Sequence, residues 1–495
     1  MEPQITPSPI SFSNDTIVAV STPPGTGGIA VIRVSGPETL DIVGTVWRGK
    51  PLKSCESHTA HLGKIVDERG EIVDEVVCTL FLTPNSFTGE DVVELACHGS
   101  RWIQKELVNL LIRSGARAAR GGEFSQRAFL NGRIDLAQAE GIADLISSAS
   151  RASHRLAMLQ ANGQFSGRLE ELRHQLIDFA SLLELELDFS EEDVEFADRS
   201  RLINLADEVI AEVDRLASSY AQGKAFKEGI PVVIAGEPNV GKSTLLNQLL
   251  EEDKAIVSDI PGTTRDIIED VREIDGSLFR FIDTAGLRET SDTVERIGID
   301  RASDRLSRAA FILWMIDGAS DLKPQIETIK EQQSNISDET AQYLLLNKID
   351  LIRNSADLEA ATPIRGNASW DSDSHDPISD LEDQLLETLP NAKVISISAK
   401  RGIGLDLLIK ELADAVRQLQ TEGGDIMVTN ARHYESLVKG TESLRRAHTL
   451  LTTNQSADFI AQEVREALHY LGEITGTIST STLLESIFSR FCIGK

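Results

Sequence analysis

Between residues 15 and 131, short β-branched runs alternate with glycine turns. Thr16 to Val20, Ile29 to Val34, Val76 to Leu82 and Val92 to Ala96 read as strands, and helical spacing follows from Trp102 to Ser114. This pattern predicts a compact α/β domain. From about Asp135 apolar residues recur at three- and four-residue steps, at Leu136, Ala139, Ile142, Leu145 and Ile146. The same spacing runs through Leu156 to Leu187 and Leu202 to Leu216, and predicts a helical bundle segment. At Gly229-Ile-Pro231 strand-like runs return: Val232 to Ala235, Phe279 to Ile282, Phe311 to Ile316, Tyr343 to Leu346 and Val394 to Ile397. Helical segments lie between several of them, the signature of a mostly parallel sheet, with a last helix over Leu405 to Leu419.

Gly423-Gly424 reads as a linker, and the tail from Asn430 to Phe491 is helical again. About 70 helical residues form only a small core alone. The helices before and after the α/β domain are therefore expected to form one bundle, with that domain inserted between them. The expected division is an N-terminal α/β domain over 1–131, a first helical part over 132–228, an inserted α/β domain over 229–422 and a second helical part over 423–495. Residues 1–13 read as a disordered extension.

Composition narrows the functional classes. The 495 residues are 41 % apolar and 26 % charged, ordinary for a soluble chain. The longest apolar run, Ala309 to Ile316, is far shorter than the roughly 20 residues a membrane span needs. Met-Glu-Pro-Gln lacks a basic n-region, so no secretory signal is expected. A formal charge of −29 argues against a broad basic grip on nucleic acid and assigns any RNA contact mainly to a partner. Cys55, Cys78, Cys97 and Cys492 form no CxxC pair, which predicts a reducing cytoplasmic setting without a disulfide frame or zinc.

Gly236-Glu-Pro-Asn-Val-Gly-Lys-Ser243 follows a strand run and opens a helix, the context of a phosphate-binding loop. Its amides and the helix N-terminus face an anion, with Asn239, Val240, Gly241, Lys242, Ser243 and Thr244 around it. Lys242 neutralises the β and γ phosphates and Ser243 offers a hydroxyl to Mg2+. Glu237 puts an acid in this loop and is expected to turn to solvent. Asp283-Thr284-Ala285-Gly286 ends a strand with a carboxylate that orients the magnesium shell. Asn347-Lys348-Ile-Asp350 ends another. Asp350 accepts from guanine N1–H and its exocyclic amine, whereas adenine would leave that buried carboxylate unpaired at a cost of about 1–3 kcal/mol. Ser398-Ala399-Lys400 closes the other side of the base. Four motifs in order define a GTP site.

Two features narrow the subclass. Leu287 follows Asp283-Thr-Ala-Gly286 where many switch GTPases carry a water-placing glutamine, so hydrolysis needs another group. Glu295 is one candidate, with an ordinary surface glutamate as the alternative. Asn239 either ligates a monovalent cation beside the phosphates or caps its own loop. Ser258-Asp259-Ile260-Pro261-Gly262-Thr263-Thr264-Arg-Asp266 forms the first switch, with Thr264 the expected magnesium ligand.

With these motifs stand Asn14 to Val20, Ser86 to Asp91, Gly122 to Asn131, Asp135 to Glu140 and the terminal Phe491-Cys-Ile-Gly-Lys495. Over nearly its whole length the chain resembles the tRNA modification GTPase family MnmE, also called TrmE. The resemblance implies a folate-binding, dimerising N-terminal domain and a GTPase domain inserted in a helical domain. It implies a cytoplasmic homodimer that joins the FAD protein MnmG, as a heterotetramer, to place an aminomethyl or carboxymethylaminomethyl group on C5 of the wobble uridine of certain tRNAs. FAD is expected on that partner only, and 5-formyl- or methylene-tetrahydrofolate supplies the one-carbon unit. The resemblance further implies that the GTPase domains pair when GTP and K+ bind, which stimulates hydrolysis. Asn239, Ser258, Ile260 and Thr263 match the potassium site, Glu295 the water-orienting glutamate, and Arg33, Glu94, Arg133 and Lys495 the folate contacts.

Cys492 is either a thiol near the one-carbon chemistry or a packed structural cysteine, and Cys-Ile-Gly-Lys fits a prenylation box poorly. Cys97-His98 is no catalytic pair, because adjacent strand residues face opposite ways. Gly25-Thr-Gly-Gly28 reads as a turn rather than a dinucleotide loop. The acidic stretch from Leu351 to Ala392 suggests no role. A ribosome-assembly or other regulatory switch GTPase is the competing reading; it usually carries a basic RNA-binding module, which this acidic chain lacks. A membrane-linked GTPase finds no span or convincing anchor.

Overall fold

The structure is a computed structural model and describes residues 15–188, 199–251, 270–283, 305–337, 340–352, 377–422, 426–453, 455–491 and 494. The chain forms two compact units. One takes the chain up to Ser147, Ala157–Ala217 and the chain from Arg432 onward; the other takes Ser148–Leu156 and Ser218–Ala431.

The first unit begins with β1 Ile17–Val20, β2 Gly27–Ser35, β3 Trp47–Arg48, β4 Thr59–Val66, β5 Ile72–Phe81, β6 Val92–Gly99 and β7 Arg117–Ala118. They form one sheet in the order β3-β4-β5-β6-β2-β1-β7, antiparallel except where β1 meets β7. Alternation decides the faces. Val76, Cys78 and Leu80 of β5 point into a core with Ile32 and Val34 of β2. Helices Thr39–Val46 and Arg101–Arg113 cover that face with Ile42, Val43, Leu107 and Leu111. On the other face Ile17 and Ala19 pack against Phe124, from helix Glu123–Leu130. Burial drives Cys78 to about 12 and Cys97 to about 11, so both stay thiols at neutral pH. Cys97 is buried while His98 is exposed, as strand alternation requires.

The same unit holds helices Leu136–Ser147, Gln164–Asp188, Arg199–Ser218, Ala457–Thr475 and Ser481–Phe488. Leu169, Leu172, Leu176, Phe179 and Leu183 bury one stripe of the second of these, which packs along Ala457–Thr475, where Ile460, Val464, Ala467 and Leu471 are buried. The uninterrupted spacing read from Leu156 to Leu187 is broken in the structure. Helix Arg151–Ala161 stops at Asn162-Gly163, where Gly163 adopts φ +79°, and a new helix starts at Gln164.

The second unit contains β8 Ile230–Ala235, β9 Asp270–Ile274, β10 Ser277–Asp283, β11 Phe311–Asp317, β12 Ala341–Asn347 and β13 Lys393–Ser396. Their order is β13-β12-β11-β8-β10-β9, parallel but for the edge strand β9. All seven residues of β11 are buried, as expected when both faces are covered. Lys242–Glu251 and Leu405–Glu422 cover one face, and Leu322–Gln332 and Pro377–Thr388 the other. β9 returns into β10 through Asp275-Gly276, both at positive φ, the geometry of a two-residue hairpin. Among the described residues no helix is long and apolar enough to cross a membrane.

Candidate functional site

The carboxyl ends of the parallel strands bring the nucleotide motifs together. β8 runs into the loop at Gly236, and helix Lys242–Glu251 follows. Gly236 has φ +141° and faces the Met315 carbonyl so closely that no Cβ fits. Asn239 has φ +64° and Gly241 φ +108°, so the loop turns its backbone inward at positions few side chains tolerate. The Lys242 ammonium is buried and donates to the Gly236 and Glu237 carbonyls, each at 2.8 Å. Burial lowers its pKa, against the nearby charges of Asp283 and Glu237. Glu237 is half-buried, with its backbone carbonyl fixed by that ammonium. Ser243 and Thr244 are exposed at the helix start. Asp283 ends β10, beside β8.

Asn347 joins the phosphate loop to the base motifs. Its side chain is 3 % exposed, donates to the Val240 carbonyl at 2.7 Å and accepts from the Ala399 N–H at 2.9 Å. A Cβ on Gly241 would stand 2.5 Å from its amide nitrogen. Asp350 accepts from the Ser398 hydroxyl at 2.6 Å, and Arg401 stands 3.6 Å from its other oxygen. Lys400 is exposed at the end of this loop. Lys348, at φ +66°, donates to Asp317 at 2.7 Å. Burial would raise the Asp317 pKa, but the Lys348, Ser320 and Ala319 hydrogen bonds outweigh it and hold the carboxyl below the usual range. Sequence reading missed Asp317, which carries no motif; only its place at the end of an apolar strand marks it.

A second cluster lies in the first unit. Arg33 and Glu94 are opposite one another on β2 and β6, with Nε–Oε1 at 2.9 Å and a second guanidinium nitrogen at 2.8 Å. The guanidinium carbon lies 5.6 Å from the Phe87 ring centre and 5.7 Å from that of Phe124. The Gly494 carbonyl accepts from Arg33 at 3.4 Å and from the Ser21 hydroxyl at 3.1 Å. The chain end is thus tied to this pair across more than 460 positions. Arg133 packs its stem against Gly89. Phe87 and Phe124 were not singled out by sequence reading. Ser258, Asp259, Ile260, Pro261, Gly262, Thr263, Thr264, Thr284, Ala285, Gly286, Glu295, Cys492 and Lys495 lie outside the described residues, as do residues 1–13 and Gly423-Gly424.

A glycine-rich loop between a buried strand and a helix, with Asn-Lys-x-Asp and Ser-Ala-Lys motifs on neighbouring strand ends, defines a P-loop GTPase domain. A family model described as the MnmE helical domain matches residues 136–492, and one described as the GTP-binding protein TrmE N-terminus matches residues 16–133. The chain is 47 % identical over 488 residues to the tRNA modification GTPase MnmE of Cytophaga hutchinsonii, covering 98 % of this chain and 99 % of that one. It is 46 % identical over 490 residues to the protein of the same name from Bacteroides thetaiotaomicron, covering 98 % and 100 %. Among solved structures it is similar to a point variant of Aquifex aeolicus Era bound to GDP.AlF4-, with 26 % identity over 43 % of this chain and 66 % of that one and a TM-score of 0.28. The chain belongs to the tRNA modification GTPase MnmE family.

Proposed function

We propose that this chain hydrolyses GTP in the second unit and, with MnmG, uses that cycle to build the 5-aminomethyl or 5-carboxymethylaminomethyl group on the wobble uridine of certain tRNAs. The observation that carries the reading is the Asn347 amide, which fastens the phosphate loop to the Ser398-Ala399-Lys400 loop. Phosphate and base ends are thereby held at one spacing, as recognition of a whole guanine nucleotide requires.

In this reading Val240, Gly241, Lys242 and Thr244 cradle the phosphates, and Asp350 with Lys348, Ser398, Ala399 and Lys400 takes the guanine. Ser243 and Asp283 are hard oxygen donors on adjacent elements, a set that fits Mg2+, and Thr264 completes it. Asn239, exposed in the loop at φ +64°, would hold K+ together with Ser258, Ile260 and Thr263. The bound cation supplies positive charge at the phosphates, and Glu295 orients water. Two GTPase domains complete this site by pairing.

Arg33, Glu94, Arg133 and Lys495 bind a tetrahydrofolate in the first unit. The fit is chemical: Glu94 accepts from a pterin edge, guanidinium and ammonium groups suit glutamyl carboxylates, and the Phe87 and Phe124 rings wall the Arg33 pair. A homodimer is supported by the part of the sheet turned from helices Thr39–Val46 and Arg101–Arg113 that lies away from Phe124. There Leu62, Val77, Ala96 and Val31 lie in register across four strands, with Leu62 67 % exposed. The charge of −29 supports tRNA contact mainly through the partner, in the cytoplasm. Mass analysis of wobble nucleosides in cells lacking this chain tests the reading. Loss of the C5 substituent, restored by the wild-type chain and not by a Lys242→Ala variant, is expected; unchanged nucleosides would sink it.

A further inference from the structure

The residue after Asn347 is bound in a way its motif does not explain. Lys348 leaves the end of β12 at φ +66°, and its ammonium is held at the end of the neighbouring β11 by the Asp317 carboxylate, at 2.7 Å. Asn347 and Asp317 are paired in the ladder between these strands, so the Lys348 stem crosses the carboxyl edge of the sheet from one strand to the next. Asp317 is itself immobilised. One oxygen accepts from the Ala319 N–H at 3.0 Å, and the other from the Ser320 hydroxyl at 2.9 Å as well as from Lys348. The buried Gln325 side chain accepts from the Asp317 N–H at 2.8 Å and donates to its carbonyl at 3.1 Å. Gly318 adds a backbone hydrogen bond to the Asn347 carbonyl at 2.9 Å. A lysine otherwise free to sample many rotamers is thus locked by an anchor that is locked in turn.

We propose that Asp317 is a positioning residue for guanine-nucleotide binding, acting through Lys348 to hold the Asn347–Asp350 turn ready for the base. The proposal rests on the reading of that turn as the guanine-recognising element. Asp317 touches no part of the nucleotide in this account. Its contribution is the ordering cost that Lys348 no longer bears on binding.

Calorimetric titration of the full-length chain with GDP, GTP and XDP tests it. Asp317→Asn is expected to weaken GDP and GTP alike by about tenfold, the ordering of one long side chain, and to raise KM for GTP with kcat held. Lys348→Met is expected to weaken binding at least as much, since it also removes the lysine beside the base, and the double variant no further than Lys348→Met alone, because Asp317 acts only through Lys348. Lys348→Met changes a partly exposed residue, so it reads the same link if Asp317→Asn fails to fold. Asp350→Asn serves as the independent control: exchanging an acceptor carboxylate for an amide shifts preference from GDP to XDP. Wild-type GDP affinity in Asp317→Asn or in Lys348→Met, or losses that multiply in the double variant, would overturn the proposal while the control upholds the base site. An Asp350→Asn chain that still prefers GDP would remove the base reading and the proposal with it.

Discussion

Replacing Asn347 by alanine removes one side chain and orphans two buried backbone groups. The Val240 carbonyl loses its donor at 2.7 Å and the Ala399 N–H loses its acceptor at 2.9 Å. Each buried group left unpaired costs about 1–3 kcal/mol, so the link between the two loops weakens by roughly 2–6 kcal/mol. Because the chain has more than one unit, global unfolding is the wrong readout. Hydrogen exchange on peptides spanning 236–243 and 396–403 of nucleotide-free protein reads the link directly. Protection in both peptides should fall together by about 30-fold or more, the lower end of that cost, and GDP should bind at least about tenfold more weakly. A Gly241→Ala chain should reproduce the loss in the first peptide, since its Cβ would stand 2.5 Å from the Asn347 amide nitrogen. Wild-type protection in Asn347→Ala would show that the two loops are held by something else.

In the first unit Glu140 is buried against His433 at 2.6 Å and Arg432 at 2.7 Å. Burial would raise its pKa, but the charges and hydrogen bonds of His433 and Arg432 bring it down to about 2. A depressed carboxylate stabilises the fold above its unfolded value, near 4.5, and that contribution is lost as pH falls from there through about 2. Acid unfolding followed by circular dichroism should show this loss in the wild type, and Glu140→Gln should flatten the slope across that window. Glu94→Gln should weaken tetrahydrofolate binding by about tenfold or more in a fluorescence titration, without changing GDP affinity. Glu295→Ala should bind GTP normally and hydrolyse it slowly; normal turnover would remove its assigned role.

The GTPase domain was legible because its chemistry and its fold share residues. The loop that cradles phosphate is also a strand-to-helix junction, and Asn347 and Asp283 are the last residues of buried strands. The strands that escaped reading carry weak patterns. β4 exposes Ala60, Leu62 and Lys64 on one side, and its Gly63 is small because the Trp47 ring lies where a Cβ would go. β9 is a short edge strand of mostly polar residues, Asp-Val-Arg-Glu-Ile, which meets the sheet only through β10. Asp317, Phe87 and Phe124 were illegible for another reason. Their roles come from neighbours distant in the chain, and no local spacing encodes such contacts. The helical part was legible in period and not in its break, since a glycine at φ +79° is visible only once the turn is built.

In the proposed function the hydrolytic charge of the guanine pocket is completed by an alkali cation that Asn239 would hold. Steady-state GTP turnover by the full-length chain in KCl and in NaCl at equal ionic strength tests this most directly. Turnover at least about tenfold faster in KCl is expected, equivalent to about 1.4 kcal/mol of transition-state stabilisation, with Asn239→Ala erasing the difference. Equal rates in the two salts would contradict it.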